Sequence, residues 1–424
     1  MALVTVTSIA AAREKAGKGE PPGAPDWHAL LEAAGKGFLG DERNVLIALR
    51  NAPELIGLVR FNEFALQIEF MRFPPWRCAE VGARWLDTDD VQLAAWLQLE
   101  GIRVRGATMV GECVNVVAQE AMFHPVRYYL ENLEWDHQSR LSIWLAAYLG
   151  ASANGNYLSA VGTKFLISAV ARILRPGCQV DHMLVLEGTQ GAGKTSAARI
   201  LSVHPEWFAG SLPDVHSKDA ALQLCGRWLI EIAELKAIRS SQLEATKTFL
   251  TQCVDTFRAP YARRAAQFPR QCVFIGTTNE HEYLRDRTGN RRYWPVKCGI
   301  IDREGLLRDR AQLWAEAVHL YRASHAWHLN ETESAAADFE QRERVPISEL
   351  EHDVTAYLDQ LSTDETTVRD VLVYGLRLDP DKPVYMDAAR RMGYAVAEAM
   401  EQAGWVKVGR IGRQKRTLYR RRKP

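Results

Sequence analysis

Apolar positions change rhythm several times along this chain. From Asn44 they return at helical and mixed spacing (Val45, Leu46, Leu49, Leu55, Leu58), and then Phe64, Leu66, Ile68 and Phe70 alternate as a strand does. Val91 to Leu99 predicts a helix. The preceding Trp85 to Asp90 reads WLDTDD, which suits a metal-binding carboxylate cluster or a helix start. Capping oxygens and first-turn acids favour the helix start at Thr88, Asp89 and Asp90. Tyr157 to Leu174 is apolar with a period near 3.6, and Pro176-Gly177 stops it. Three shorter runs read as buried strands: Met183 to Leu186, Trp228 to Ile230 ending in Glu231, and Gln271 to Asn279, which ends on polar residues.

Beyond these strands, Leu306 to Ala326 is helical, and Glu331 to Arg344 is a charged, exposed helix or linker. Helices are expected over Ile347 to Leu361, Thr367 to Leu376 and Met386 to Ala403. The closing GWVKVGRIGRQKRTLYRRR alternates apolar and basic residues about Gly409 and Gly412, as a β-hairpin does. The expected class is α/β. A parallel-sheet core lies between an α-rich N-terminal accessory domain and a winged-helix-like α+β module at the C-terminus.

At 424 residues, with 47% apolar and 25% charged residues, the chain has room for two to four globular domains. The expected divisions are an arm over 1–40, an accessory domain over 41–150, the core over 151–330, a linker over 331–345 and the module over 346–424. The arm is expected because AGKGEPPGAP, within Met1 to Gly40, is too rich in Gly, Pro and charge to fold alone. The seven cysteines contain no C-x-x-C pair, so neither a zinc site nor a disulfide framework is signalled. No apolar run looks long enough to cross a bilayer, and Arg13, Glu14 and Lys15 interrupt the region where a signal peptide would be apolar. A cytoplasmic protein without a membrane partner is expected. The net charge of +1 conceals eight Lys or Arg and no acid between Arg410 and Pro424. Such a stretch is either a footprint for nucleic acid or a solvated tail.

The most specific chemistry lies at Gly188-Thr189-Gln190-Gly191-Ala192-Gly193-Lys194-Thr195, which fits G-x-x-x-x-G-K-[ST] between a strand and a helix continuing through Ser196. Backbone N–H groups of such a turn face phosphate oxygens, and the helix dipole favours the anion. Lys194 would then reach the outer phosphates of ATP, and Thr195 would hold Mg²⁺. A chance glycine turn is the competing view, and the strand-before, helix-after setting argues against it. Glu231 ends the second strand, and Glu234 follows three residues later. One is expected at Mg²⁺ and the other beside the attacking water, while an amphipathic helix with both on its wet face is the alternative. In a parallel sheet, Thr277, Thr278 and Asn279 would lie beyond a strand's carboxyl end, and Asn279 is suited to orient water.

Between the second and third strands, Arg258, Arg263, Arg264 and Arg270 interleave with Phe257, Tyr261 and Phe268. This mix can pair with phosphates and stack on bases, or the arginines can serve structural ion pairs. Arg291 and Arg292, after a Gly-Asn turn, suit the charge of a transferring phosphoryl group, including one in an adjacent subunit. Arg413, Lys415 and Arg416 would place the C-terminal hairpin against a phosphate backbone.

HPVRYYLENLEWD, KFLISAVARILRPGCQVDHMLVLEGTQGAGKT, KDAALQLCGRWLIEIAEL, FRAPYARR, GTTN and TGNRRYWP, in this order, resemble the virulence-associated E family. These are phage- and island-encoded P-loop ATPases related to superfamily 3 helicases. The resemblance implies an AAA+-like ATPase core, a ring that is often hexameric in the related helicases, and work on replicating mobile-element DNA in a bacterial host. It places Glu231 and Glu234 in the acidic second motif and Asn279 in the third. It puts Arg258 to Arg264 where related helicases carry a pore hairpin for single-stranded DNA, and makes Arg291 or Arg292 the finger for a neighbouring site. Replication partners, and duplex contact through the C-terminal module, are further expectations. The rival functions are an ATP-dependent initiator or phage-interference switch without processive unwinding, and a small-molecule P-loop kinase.

Overall fold

Met183–Glu187 is apolar at every position before its terminal acid and is buried throughout, as a central parallel strand requires. In the computed structural model it lies inside a five-stranded parallel sheet. The structure describes residues 26–77, 80–153, 155–210, 220–233, 240–258, 264–284, 290–345, 349–381, 383–412 and 416–422. The chain forms two compact units, one running to Glu343 and the other starting at Arg344.

The first unit begins with an accessory layer: α1 (Glu42–Asn51), β1 (Val59–Asn62), β2 (Gln67–Phe70), α2 (Asp87–Leu99), α3 (Ala107–Glu120) and β3 (Met122–Phe123). β1 pairs antiparallel with β2 and parallel with β3, so the layer is mixed rather than purely helical. Phe64 to Leu66 form the turn of that hairpin and not the start of a strand, because Leu66 adopts φ +54°. At the start of α2, buried Asp89 accepts the Leu86 N–H and a two-pronged bond from Arg77. The capping reading of WLDTDD thereby holds. The expected arm ends earlier than residue 40: Trp27 and Leu31 are buried in the accessory core, with Trp27 stacked 6.3 Å from Trp96. Residues 1–25 lie outside the described set.

α4 (Pro125–Glu131) and α5 (Trp144–Leu149) follow, then α6 (Gly155–Leu174), β4 (Met183–Glu187), α7 (Lys194–Leu201), β5 (Phe208–Ala209) and β6 (Leu229–Ala233). Next come α8 (Ser240–Thr251), the hairpin β7 (Val254–Phe257) and β8 (Ala266–Pro269), β9 (Val273–Thr278), β10 (Tyr293–Lys297), α9 (Arg303–Arg322) and α10 (Glu331–Arg342). Val126, Leu130, Leu141 and Trp144 pack with this larger core, so the accessory core ends near Ala118 rather than at residue 150. The Asp136–Arg140 pair staples the loop between α4 and α5. Length and apolar composition would let α6 span a membrane, contrary to the reading from sequence, but its faces are buried against the sheet and α9. Glu331–Arg342, read as exposed or as a linker, is a capped helix that buries Ala337, Glu340 and Gln341, and Gln341 donates to the Tyr293 carbonyl.

The main sheet has the spatial order β10-β4-β9-β6-β5. All four pairings are parallel, so every strand points its carboxyl end the same way. The chain leaving β4 returns at the β5 edge, whereas the chain leaving β9 returns at the opposite edge as β10. The crevice between the ends of β4 and β9 is therefore a topological switch point, the position at which open α/β sheets bind ligands. Two buried tryptophans hold this frame. Trp228, 4.2 Å from Trp314, donates to the Ala169 carbonyl of α6, and Trp314 donates to the Leu201 carbonyl of α7.

In the second unit, α11 (Glu349–Gln360), β11 (Glu365–Thr367), α12 (Val368–Asp370, continued by a π turn to Gly375) and α13 (Pro383–Gln402) precede the hairpin β12 (Trp405–Ile411) and β13 (Arg416–Arg421). The sheet order is β11-β13-β12, antiparallel throughout. Its core gathers Val354, Leu358, Val371, Val396, Met400, Trp405 and Tyr419.

Candidate functional site

The loop from Gly188 through Thr189, Gln190, Gly191 and Ala192 to Gly193 joins the end of β4 to the start of α7. Gly191 and Gly193 adopt φ +81° and +95°, where a side chain would strain the backbone. That curl leaves the first N–H groups of α7, including those of Thr195 and Ser196, at the mouth of the switch-point crevice.

Lys194 folds back over the loop. Its ammonium donates to the carbonyls of Gly188 at 2.7 Å and Thr189 at 2.9 Å, and to the Asn279 Oδ1 at 3.0 Å. Burial lowers its pKa, and nearby Glu231 opposes that shift. The Thr195 hydroxyl donates to Glu231 Oε1 at 2.6 Å, and Thr277 from β9 donates to the same oxygen at 2.8 Å. Glu231 is buried within β6, which continues to Ala233 and does not stop at the acid as the apolar run suggested. Three segments distant in sequence thus deliver a lysine, a hydroxyl–carboxylate pair and an amide to one crevice.

The donor set suits a Mg²⁺–triphosphate: backbone N–H groups and an ammonium for phosphate oxygens, with a hydroxyl beside a carboxylate for the cation. Among the described residues, no cluster of three or more His, Cys, Asp or Glu is arranged to hold a metal by itself. Thr195 and Glu231 would serve only together with oxygens from a bound ligand.

Other assignments separate. Glu234, Tyr261, Arg263, Arg413 and Lys415 lie outside the described residues. Arg291 and Arg292 form a 3-10 turn at the amino end of β10, where Tyr293 pairs with Met183 and Lys297 with Glu187. They sit roughly 13 Å, one strand length, below the cradle of their own chain. Arg291 is exposed, whereas Arg292 buries an Nε that finds no hydrogen-bond partner among the described residues. Arg258 and Arg264 are exposed on either side of the hairpin tip. Arg270 does not join them: it is buried, bonds Asp255 through two nitrogens at 2.9 and 2.6 Å, and lies 4.5 Å from the Phe249 ring centroid. The structural ion-pair reading is right for that arginine. Phe257 and Phe268, offered as base-stacking surfaces, stack on each other at 4.3 Å.

Three neighbours of the cradle escaped sequence reasoning. Buried Glu187, at the end of β4, accepts the Tyr283 hydroxyl at 2.8 Å and so anchors the segment after β9. Cys298 flanks Gly188, and burial pushes the pKa of its thiol up to about 12. Arg303, the first residue of α9, brings its Cδ within 3.6 Å of where a Gly193 side chain would begin. No local motif marks Arg303; only the packing of α9 on α7 brings it there.

A parallel α/β sheet with a glycine-rich strand–turn–helix junction at its switch point defines the class of this protein. Residues 130–346, half of the chain, match the virulence-associated protein E-like domain, and the chain belongs to that family. Nothing among curated proteins matches it. Among solved structures it is similar to the apo structure of the NrS-1 C terminal region (305-718), at 10% identity and a TM-score of 0.45, over 85% of this chain and 95% of that one. An A form apo structure of the same region gives 10% identity and a TM-score of 0.48, over 89% and 99%.

Proposed function

We propose that this chain is a Mg²⁺-dependent ATPase that acts on DNA during replication of a phage or other mobile element, as a helicase-like translocase in a ring-shaped oligomer. The observation that carries the reading is the meeting of Lys194, Thr195–Glu231 and Asn279 at the switch point of the parallel sheet. Bound Mg²⁺–ATP supplies the cleavable anhydride and the divalent charge.

In this reading Lys194 exchanges the Gly188 and Thr189 carbonyls for phosphate oxygens, which are stronger partners for an ammonium. Thr195 and Glu231 hold the cation, with Thr277 fixing the carboxylate. Asn279 orients the attacking water, and Glu231 or Glu234 draws its proton. Arg303 adds positive charge at the lip of the cradle. The position of Arg291 and Arg292, a strand away from their own cradle, favours service to a neighbouring subunit. Exposed Arg258 and Arg264 at the hairpin support a grip on single-stranded DNA, and the second unit's three helices and basic hairpin support a winged-helix-like module on duplex DNA.

The wild-type protein should hydrolyse ATP faster with single-stranded DNA, and Lys194→Ala should abolish turnover while its circular dichroism is unchanged. Substantial turnover in that variant would remove the site assignment. Hydrolysis with DNA binding but no strand displacement on forks of either polarity would replace the translocase with an initiator or switch.

A further inference from the structure

The second unit contains a groove of about 500 Å³ between α13, the start of α12 and the β12–β13 hairpin. Three cationic side chains line it, Arg369, Lys407 and Arg416, and no Asp or Glu does so among the described residues. Tyr419 is buried at its base, while Tyr394 on α13 stands 89% exposed at its rim. Lys407 is held by Glu401 at 2.7 Å, but both partners are exposed, and such surface pairs yield readily to a competing anion.

From this groove we infer a binding site for an unpaired nucleotide of a single-stranded nucleic acid, with its base stacked on Tyr394 and its flanking phosphates among Arg369, Lys407 and Arg416. Size decides against a duplex as the occupant. A cleft of this volume admits a ligand the size of one or two nucleotides, whereas a double helix roughly 20 Å across could rest only on its edges. The chemistry agrees: an exposed aromatic face beside a cationic track binds single strands with little sequence preference. The inference adds a single-strand site to the unit proposed above to meet duplex DNA, leaves that duplex contact to other surfaces of the unit, and does not depend on the ATPase assignment.

The test uses the full chain with Arg258→Ala and Arg264→Ala in the background, so that hairpin binding is weakened. Short fluorescent oligo-dT, oligo-rU and a blunt duplex are titrated by anisotropy. Tyr394→Ala should weaken single-strand binding about tenfold, Tyr394→Phe should restore it, and duplex affinity should stay within about twofold. Gly393 has open space where a side chain would project. Gly393→Leu should therefore plug the groove without unfolding α13 and reproduce the loss. A 5-iodouracil oligonucleotide should cross-link to Tyr394. Equal loss with dT and rU means that base and phosphate alone are read, and loss confined to one identifies the sugar as a determinant. Unchanged single-strand affinity in both Tyr394→Ala and Gly393→Leu, cross-links only elsewhere, or an equal loss on duplex would overturn the inference.

Discussion

Two buried acids in the first unit look alike in sequence and do different work. Asp255 is saturated by Arg270, which also donates to the Phe249 carbonyl and packs on that residue's ring, so the pair locks the root of the β7–β8 hairpin. Glu231, equally buried, is held by the hydroxyls of Thr195 and Thr277, and lies near an ammonium whose own partners are two loop carbonyls and the Asn279 amide oxygen. The first acid has a full counter-charge within the fold. Among the described residues the second is hydrogen-bonded only by neutral hydroxyls, the arrangement that suits a carboxylate offered to a cation. A buried acid completed by an arginine holds structure, whereas one completed by hydroxyls at a sheet's switch point is equipped for ligand chemistry.

That contrast predicts opposite outcomes for two substitutions. Asp255→Ala strands a buried guanidinium and should cost about 3–5 kcal/mol, read as a lowered urea midpoint at unchanged slope. Glu231→Gln keeps the shape and the hydroxyl acceptor, and should change stability by less than about 1 kcal/mol while slowing hydrolysis roughly 10²–10⁴-fold. Equal stability losses in the two variants would erase the distinction.

The cradle was legible in the sequence because its chemistry is written locally: glycines where the backbone turns left-handed, then Lys194 and Thr195 at the helix start. The placement of Glu231 and Asn279 at the same crevice is legible because each follows an apolar run on a strand whose direction the fold class fixes. For Arg270 the sequence leaves two roles open, because the choice depends on Asp255 across a hairpin, a partner that a basic-aromatic pattern does not reveal. Arg303 left no signal, since its place beside Gly193 comes from helix packing. Trp27 was lost in an arm because its burial needs Trp96 from α2. Leu66 fits the strand alternation, yet its φ of +54° makes it a turn residue.

A smaller effect separates the frame from the cradle by pH. His124 accepts the Arg127 N–H at Nδ1 and faces Gln271 at 2.6 Å through Nε2. His182 stacks on Trp294 at 3.7 Å and pairs with Ser168, whose hydroxyl donates to the Phe165 carbonyl. Burial holds both histidines below their ordinary pKa of 6.5. The unfolded chain therefore takes up protons that the folded chain refuses once the pH falls below that value. Stability is fully present above it and should fall with acidification, by up to about 1.4 kcal/mol per pH unit for each histidine. Urea unfolding between pH 7.5 and 5 checks this, and replacing His182 by Phe should flatten the slope. A slope unchanged in that variant would show that His182 does not carry the effect.

The most direct test of the central claim is a calorimetric titration of the protein with a non-hydrolysable ATP analogue in the presence of Mg²⁺. The wild type should bind one analogue per chain, with an affinity that falls when Mg²⁺ is removed, and Lys194→Ala should bind roughly 10–100-fold more weakly. A wild-type protein that takes up no analogue, or a Lys194→Ala variant that binds it equally well, would contradict the account.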